Sequence, residues 1–325
     1  MPNAIIIHQH GGSDQLEYAS FDLPPVGNGD VVIDQKAIGL NFIDVYQRSG
    51  LYPVADFPAI IGLEGAGIIS QVGGYVDKFS PGDRVAYASP PMGAYADQRV
   101  MPANKIVKLP DSIAFDTAAA MMLQGLTVQY LTRQTYKVKP GETVLMHAAA
   151  GGVGLIACQW LKHLGATVIG TVGNDEKAEI AKAHGCDHTI LYRDEDIAAR
   201  VRDITDGKGV PVVYDSVGKS TLMASLDSLA PRGLLVSFGN ASGPVDNFNL
   251  GVLAQKGSLY VTRPTLMTYI AERENMIQMA RDLFEVVESG AVKIKINQRY
   301  KLSEAAQAHD DLEGRKTTGS TILEP

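Results

Sequence analysis

The chain has 325 residues, 45% of them hydrophobic, enough to bury two ordinary cores, and the length favours two domains. Its formal net charge is −7 with no basic stripe, which argues against nucleic acid as the main partner. The start, MPNAIIIHQHGG, has no basic n-region and too short an apolar run for a signal peptide, and no run of about 18 apolar residues follows, so the expectation is a cytoplasmic protein with no membrane partner.

From Asn3 to about Lys108 short strands are broken by turn residues. The predicted strands are Ala4–His8, Val31–Ile38, Ala66–Val72, Arg84–Ala88, Ala94–Val100 and Lys105–Val107. Pro24-Pro25, Asn28-Gly29-Asp30, Gly73-Gly74 and Pro81-Gly82-Asp83 punctuate them, a pattern that suits a β-barrel-like domain. Ala118 to Met122 reads as a helix leading out of it.

The stretch from Glu142 to Lys177 organises the rest. An apolar run, Thr143 to Met146, leads into Ala150-Gly151-Gly152-Val153-Gly154, then a helix from about Val153 to Leu164 and a second apolar run, Ala166 to Val172. Strand, glycine turn, helix and strand make a βαβ unit with parallel strands. Gly151 and Gly152 allow a tight turn and close backbone approach to a pyrophosphate, and Gly154 lets the helix pack on the sheet. The helix start then offers N–H groups and the positive dipole end to phosphates. The alternative is an ordinary glycine-rich turn in an α/β protein.

The alternation continues with strands at Asp187–Leu191, Val210–Tyr214, Gly233–Phe238 and Ser258–Val261, and helices at Glu195–Ile204 and Thr221–Leu229. Six strands alternating with helices predict a doubly wound dinucleotide-binding domain. A long helix from Tyr269 to Ser289 follows, and Ile294 to Pro325 returns to the first domain.

NAD-binding units carry an acid about 20 residues past the glycine turn. Here that position falls at Thr171-Val172-Gly173, with no carboxylate, and Lys177 lies one turn into the next helix, in reach of a 2′-phosphate. Small residues plus a lysine favour NADPH. The alternative for Lys177 is a solvated lysine on a helix face.

Gly39-Leu40-Asn41-Phe42-Ile43-Asp44-Val45-Tyr46, Gly62-Leu63-Glu64-Gly65-Ala66-Gly67, the glycine turn, Asp215-Ser216-Val217-Gly218 and Ser237-Phe238-Gly239-Asn240 occur in order. Together they resemble the quinone oxidoreductases of the medium-chain dehydrogenase/reductase superfamily, over essentially the whole chain. The resemblance implies an α/β protein with a GroES-like β-barrel catalytic domain, 1–124 completed by 266–325. It also implies a Rossmann domain, 125–265, with a six-stranded parallel sheet, NADPH as hydride donor, and a homodimer paired through the cofactor domains.

The same resemblance places Asn41, Tyr46, Tyr52 and Thr127 around the nicotinamide and substrate. Ala150, Gly151, Gly152, Val153, Gly173, Ser216, Val217, Gly218, Phe238, Gly239 and Asn240 fall along the dinucleotide, Lys177 and Tyr192 near the adenosine phosphate, and Arg263 and Arg315 near the cleft. Tyr46 is the phenol nominated to donate to the acceptor, with a structural role as the alternative. Zinc-using relatives resemble this chain at G-x-C-x-x-D and G-H-E-x-x-G, but Asn41 stands where their cysteine would be and Leu63 where their histidine would be. Leucine cannot ligate a metal and an amide is a poor zinc ligand, so the expectation is metal-free hydride transfer to a quinone. The rivals are an NADPH-dependent enone or enoyl reductase and an NADPH-binding protein without efficient catalysis, such as a nucleotide sensor or RNA-binding protein.

Overall fold

Alternating apolar residues cut by Gly and Pro fold the first part of the chain into short strands. They are β1 (Asn3–Ile7), β2 (Glu17–Ser20), β3 (Asp30–Leu40), β4 (Ala59–Ile60), β5 (Glu64–Val72), β6 (Arg84–Ala88), β7 (Gln98–Pro102) and β8 (Val107–Lys108). Helix α1 (Phe42–Ser49) sits between β3 and β4, and α2 (Phe115–Ala119) and α3 (Met122–Tyr130) follow β8. The middle of the chain then alternates β9 (Thr143–Met146), α4 (Gly152–His163), β10 (Thr167–Val172), α5 (Asp175–Ala183), β11 (His188–Leu191), α6 (Ile197–Ile204), β12 (Val210–Asp215), α7 (Leu222–Ser228), β13 (Leu229–Ser237), α8 (Gly251–Gln255) and β14 (Tyr260–Thr262). It closes with α9 (Leu266–Tyr269), α10 (Arg273–Glu288), β15 (Ile296–Lys301), α11 (Ala305–Glu313) and β16 (Ser320–Glu324).

The computed structural model describes residues 1–325 and divides into two units. The first comprises Met1–Leu126, Ile270–Glu288 and Ile294–Pro325, and the second Thr127–Tyr269 with Ser289–Lys293.

In the first unit β2-β1-β4 form one sheet and β15-β16-β3-β5-β6-β8 another, with β7 also pairing β3. β16 runs antiparallel to β3, with Leu323 opposite Ile38, so the chain's last strand completes the sheet begun near its start. Inward residues Ile5, Ile33, Ile69, Tyr95, Ile106 and Leu323 share one buried cluster.

The second unit holds one six-stranded parallel sheet in the order β11-β10-β9-β12-β13-β14. Leu145 of β9 faces Ile169 of β10 on one side and Val213 of β12 on the other. The strand order therefore reverses at β9, and in open sheets of this kind the crevice beyond the strand ends at that point is where ligands bind. Leu145, Ile169, Ile190, Val213 and Leu235 are buried together beneath it.

Some expected elements differ. Of Ala94–Val100, only Gln98 onward is strand; Ala94 and Tyr95 donate instead to the carbonyls of Gly62 and Ile61, at 3.1 and 3.0 Å, which pulls them off the ladder. The last short strand begins at Val107 rather than Lys105, because Ala103–Lys105 coils into a single tight turn. The helix expected at Ala118–Met122 is two helices, α2 and α3, broken at Ala120-Met121. The long helix expected at Tyr269–Ser289 is likewise split into α9 and α10. Helix α1, quoted above only as a motif, is a full element with the Asp44 carboxylate accepting from the Asn41 N–H at 2.8 Å across its first turn.

Candidate functional site

In the second unit the turns beyond the strand ends carry most of the residues singled out above. After Met146 the chain turns through Ala148, whose φ of 54° is left-handed, and enters α4 at Gly151. A Cβ on Gly154 would lie 2.3 Å from the Ala148 carbonyl oxygen, so only glycine lets α4 seat this close to the turn. Gly151, the N-cap, has no side chain with which to accept a hydrogen bond, so the first-turn N–H groups of α4, beside Ala150, Gly152 and Val153, receive no side-chain cap and are of the kind that can receive an anion.

β10 ends at Val172, and Gly173 follows. A Cβ on Gly173 would meet the Tyr192 hydroxyl at 2.9 Å, so the structure brings Gly173 and Tyr192 together. Asn174 caps α5, accepting from the Lys177 N–H at 2.9 Å, which sets the lysine one turn into the helix.

The third and fourth turns are laced to each other. The Asp215 carboxylate accepts from the N–H groups of Val217 and Gly218 at 2.8 and 3.0 Å, folding the chain back over it. Phe238 N–H donates to the Asp215 carbonyl at 2.8 Å, and a Cβ on Gly239 would fall 2.3 Å from the Ser216 carbonyl oxygen. Asn240, with its amide oxygen turned to Arg263, accepts from Nη2 at 3.0 Å, while Nη1 donates to the Ser237 carbonyl at 2.9 Å. Arg263 thus belongs with the Phe238–Asn240 turn. Arg315 belongs to the first unit, in the turn after α11, with a left-handed φ of 57°.

In the first unit Asn41 is buried in a directed chain of side chains. Ser320 donates to Gln124 at 2.8 Å, Gln124 to the Asn41 Oδ1 at 3.2 Å, and Asn41 Nδ2 to Glu64 at 2.6 Å. The other Glu64 oxygen accepts the Leu123 N–H at 2.7 Å, closing the open start of α3. Tyr46 and Tyr52 pack edge to face, ring centroids 5.2 Å apart, with Phe42 on the other side of Tyr46 at 6.1 Å. Thr127 is buried on α3 and falls to the second unit.

Glu64 and Asp44 are functional candidates that the sequence reading passed over, although both lie inside quoted motifs. Burial pushes the Glu64 carboxyl up to about 8, outweighing the hydrogen bonds from Leu123, Asn41 and Met122, and the negative charge of Asp44 adds to the push. Burial likewise pushes Asp44 up to about 7 against the hydrogen bonds from Asn41 and Tyr95. The only hint in the sequence is that both acids sit among apolar and glycine neighbours.

The donor set does not suit zinc. Leu63 is buried beside Glu64, Asn41 is committed to Glu64 and Gln124, and no three His, Cys, Asp or Glu side chains are grouped to hold an ion.

A six-stranded parallel sheet with these turns beyond its strand ends, in a chain that also carries a separate mainly β unit, is the architecture of a dinucleotide-dependent oxidoreductase. Residues 27–111 match the family model described as the alcohol dehydrogenase GroES-like domain, and residues 152–283 the one described as zinc-binding dehydrogenase. A quinone oxidoreductase of Pseudomonas aeruginosa is 56% identical over 325 residues, covering 100% of both chains. The solved quinone oxidoreductase of Pseudomonas syringae pv. tomato superposes with a TM-score of 0.99 at 56% identity, over 100% of each chain. That of Escherichia coli, complexed with NADPH, gives 0.98 at 50% identity, over 99% of this chain and 100% of the other. The chain belongs to the quinone oxidoreductases of the medium-chain dehydrogenase/reductase superfamily.

Proposed function

We propose that the protein is an NADPH-dependent quinone reductase that transfers hydride without a metal. The observation that carries this reading is the end-to-end likeness to the E. coli quinone oxidoreductase solved with NADPH. The α4 cradle at Ala150–Val153 and the turns at Ser216–Gly218 and Phe238–Asn240 would hold the dinucleotide, with Lys177 and Tyr192 at the 2′-phosphate beside Gly173. When bound, NADPH supplies hydride from C4 of its nicotinamide.

The rest falls to the chain's own residues. A quinone is electron-poor enough to accept hydride without a Lewis acid, so the protein need only orient the acceptor and donate hydrogen bonds to the reduced oxygen. Asn41 suits that task. Its Oδ1 is held by Gln124, one Nδ2 hydrogen goes to Glu64, and the second is left for the acceptor oxygen. Tyr46 is the second proposed donor, its ring held by Tyr52 and Phe42. Thr127, Arg263 and Arg315 are further cofactor or substrate contacts on the same family likeness.

A homodimer paired through the cofactor units is part of the same reading. Edge strand β14 presents Tyr260 and Val261, 61% and 40% exposed, and an uncovered apolar edge is a template for a second strand. Sedimentation at twice the monomer mass is the expected result.

The test of function is a steady-state screen of NADPH oxidation with quinones of increasing ring size beside simple enones. Quinones should turn over with the higher kcat/KM. Faster turnover of the enones would overturn the assignment.

A further inference from the structure

His147 follows β9 at the start of the glycine turn and is fully buried. Its two ring nitrogens each have one partner: Nδ1 lies 3.0 Å from the Thr171 hydroxyl and Nε2 lies 3.0 Å from the Ser225 hydroxyl. Ser225 in turn donates to the Asp215 Oδ2 at 2.8 Å. A hydroxyl has one proton, and a carboxylate only accepts. With its proton spent on Asp215, Ser225 can only accept from His147, so Nε2 carries the hydrogen. Nδ1 is then the acceptor, and Thr171 donates to it while receiving the Ala148 N–H at 3.3 Å.

The result is a chain with one direction: Ala148 N–H to Thr171, Thr171 to His147, His147 to Ser225, Ser225 to Asp215. It begins at the left-handed residue that opens the glycine turn. It ends at the carboxylate that shapes the Val217-Gly218 turn and also accepts from the Thr221 hydroxyl at 2.7 Å. Thr171, Ser225 and Asp215 are buried as well. Burial pushes the imidazole below its ordinary value although the Asp215 charge opposes this, in keeping with a neutral ring.

We propose that His147, as the neutral Nε2–H tautomer, is a positioning residue that holds the glycine turn and the Asp215–Gly218 turn in one fixed relation. This rests on the reading that those two turns hold NADPH. His147 touches no substrate atom; it acts through Thr171 and Asp215. Neither turn can shift without breaking a buried hydrogen bond, which leaves a polar group unpaired. The cofactor then meets a preformed cradle and does not have to order it.

Two measurements test this on the whole protein. In the cofactor-free protein, nitrogen-15 NMR of the side chains should show a His147 ring hydrogen on Nε2 and none on Nδ1. Its signal, identified by its loss in His147→Gln, should not move as pH passes through about 6.5, where ordinary histidines titrate. A hydrogen on Nδ1, or a titrating ring, would overturn the assignment.

Calorimetry well below the melting temperature then compares variants. His147→Leu, which can neither accept nor donate, should weaken NADPH and NADH alike by about tenfold, or about 1.4 kcal/mol. His147→Gln offers an acceptor and a donor and should recover most of the loss. Ser225→Ala removes one hydroxyl and repeats the test should the leucine variant not fold. A folded leucine or alanine variant with wild-type affinity would mean that His147 only fills the core. A wild type that fails to bind NADPH would instead overturn the reading of the turns, and the tautomer would still be decided by NMR.

Discussion

Each unit buries a histidine in a chain of hydrogen bonds that ends on an aspartate, and the two chains end differently. In the second unit Thr171, His147 and Ser225 lead to Asp215, which gathers two backbone N–H groups and two hydroxyls. In the first unit Arg48 lies 3.4 Å from the His309 Nδ1, His309 Nε2 lies 3.1 Å from the Tyr95 hydroxyl, and Tyr95 donates to Asp44 at 3.1 Å. Arg48 can only donate, so His309 Nδ1 accepts and the neutral ring again carries its hydrogen on Nε2. Burial and the Arg48 charge hold it down at about 3. Asp44, however, gathers only Tyr95 and the Asn41 N–H, and its Oδ1 has no partner. The difference lies in the number of donors each buried acid collects, four at Asp215 and two at Asp44. The second unit's chain joins the glycine turn to the Asp215–Gly218 turn, whereas the first unit's leaves a carboxyl pushed up to about 7.

The bluntest way to break the braced chain is at its origin. Gly154→Val would drive a side chain into the Ala148 carbonyl, already 2.3 Å from the first added carbon, with two further backbone atoms of Ala149 at 2.7 Å. Backbone cannot step aside as a side chain can. A loss of about 3–5 kcal/mol in denaturant unfolding is expected, with NADPH binding lost in whatever remains folded. A variant of wild-type stability would show that the turn relaxes freely and that the brace is loose.

The poised carboxyl is tested by pH. An acid whose folded value is raised to about 7 from 3.8 binds its proton more tightly folded than unfolded. Its stabilising contribution is complete below about 3.8 and is lost as pH rises through about 7. Asp44→Asn keeps an oxygen for Asn41 and Tyr95 and cannot ionise. It should flatten the fall in stability across that window, a change of roughly 2–4 kcal/mol from one end to the other. Removing the Asp44 charge should also let Glu64 ionise at lower pH, because that charge is one of the causes raising it. Unfolding midpoints in urea at a series of pH values measure this, and parallel curves for variant and wild type would sink the idea.

These two regions were unequally visible in the sequence. The second unit's alternation was legible because each βαβ step is local: an apolar run, a turn signal and an amphipathic run suffice, and β9 was read to the residue. The glycine turn was legible for the same reason. The first unit's Ala94–Asp97 segment was misread because its partners, Gly62, Ile61 and Asn3, are distant in sequence and replace a regular ladder. Neither histidine chain was foreseen. His147 and Ser225 are 78 residues apart, and Tyr95 and His309 are 214 apart, so only the folded chain brings them together. Apolar and glycine neighbours only hint that Asp44 and Glu64 are buried, since the partners that bury them are distant in sequence, as Tyr95 is from Asp44.

If the second unit's proposed cradle is as rigid as its bracing implies, cofactor choice should turn on the charged side chain of Lys177, one turn into α5. Lys177→Ala should weaken NADPH by roughly 1–3 kcal/mol, about five- to a hundredfold, and leave NADH nearly untouched, since NADH offers only a hydroxyl there. Added salt should narrow the wild-type preference. Gly173→Asp should favour NADH, but its Cβ must displace the Tyr192 hydroxyl 2.9 Å away, so that variant reports on both residues. Equal losses for both cofactors in Lys177→Ala would place the lysine's effect in folding.

The smallest expected effect sharpens the contrast from the other side. By resemblance, zinc-using dehydrogenases would carry cysteine and histidine where this chain has Asn41 and Leu63, and what stands there in the first unit is a hydrogen-bonded amide over a buried acid. Ser320, Gln124, Asn41 and Glu64 satisfy one another in sequence, and a cation forced among them would have to displace the Asn41–Glu64 bond of 2.6 Å without gaining a histidine or thiolate. Exhaustive chelation should therefore leave NADPH oxidation, unfolding midpoint and the pH slope assigned to Asp44 all unchanged. The three readouts separate the alternatives. Activity lost with stability intact would point to a metal at the reacting centre, and a changed pH slope would mean that a cation, in place of protons, had been neutralising Asp44 and Glu64. Stoichiometric zinc in the purified protein, with activity restored only by its return, would overturn the metal-free assignment and make Glu64 its first suspected ligand.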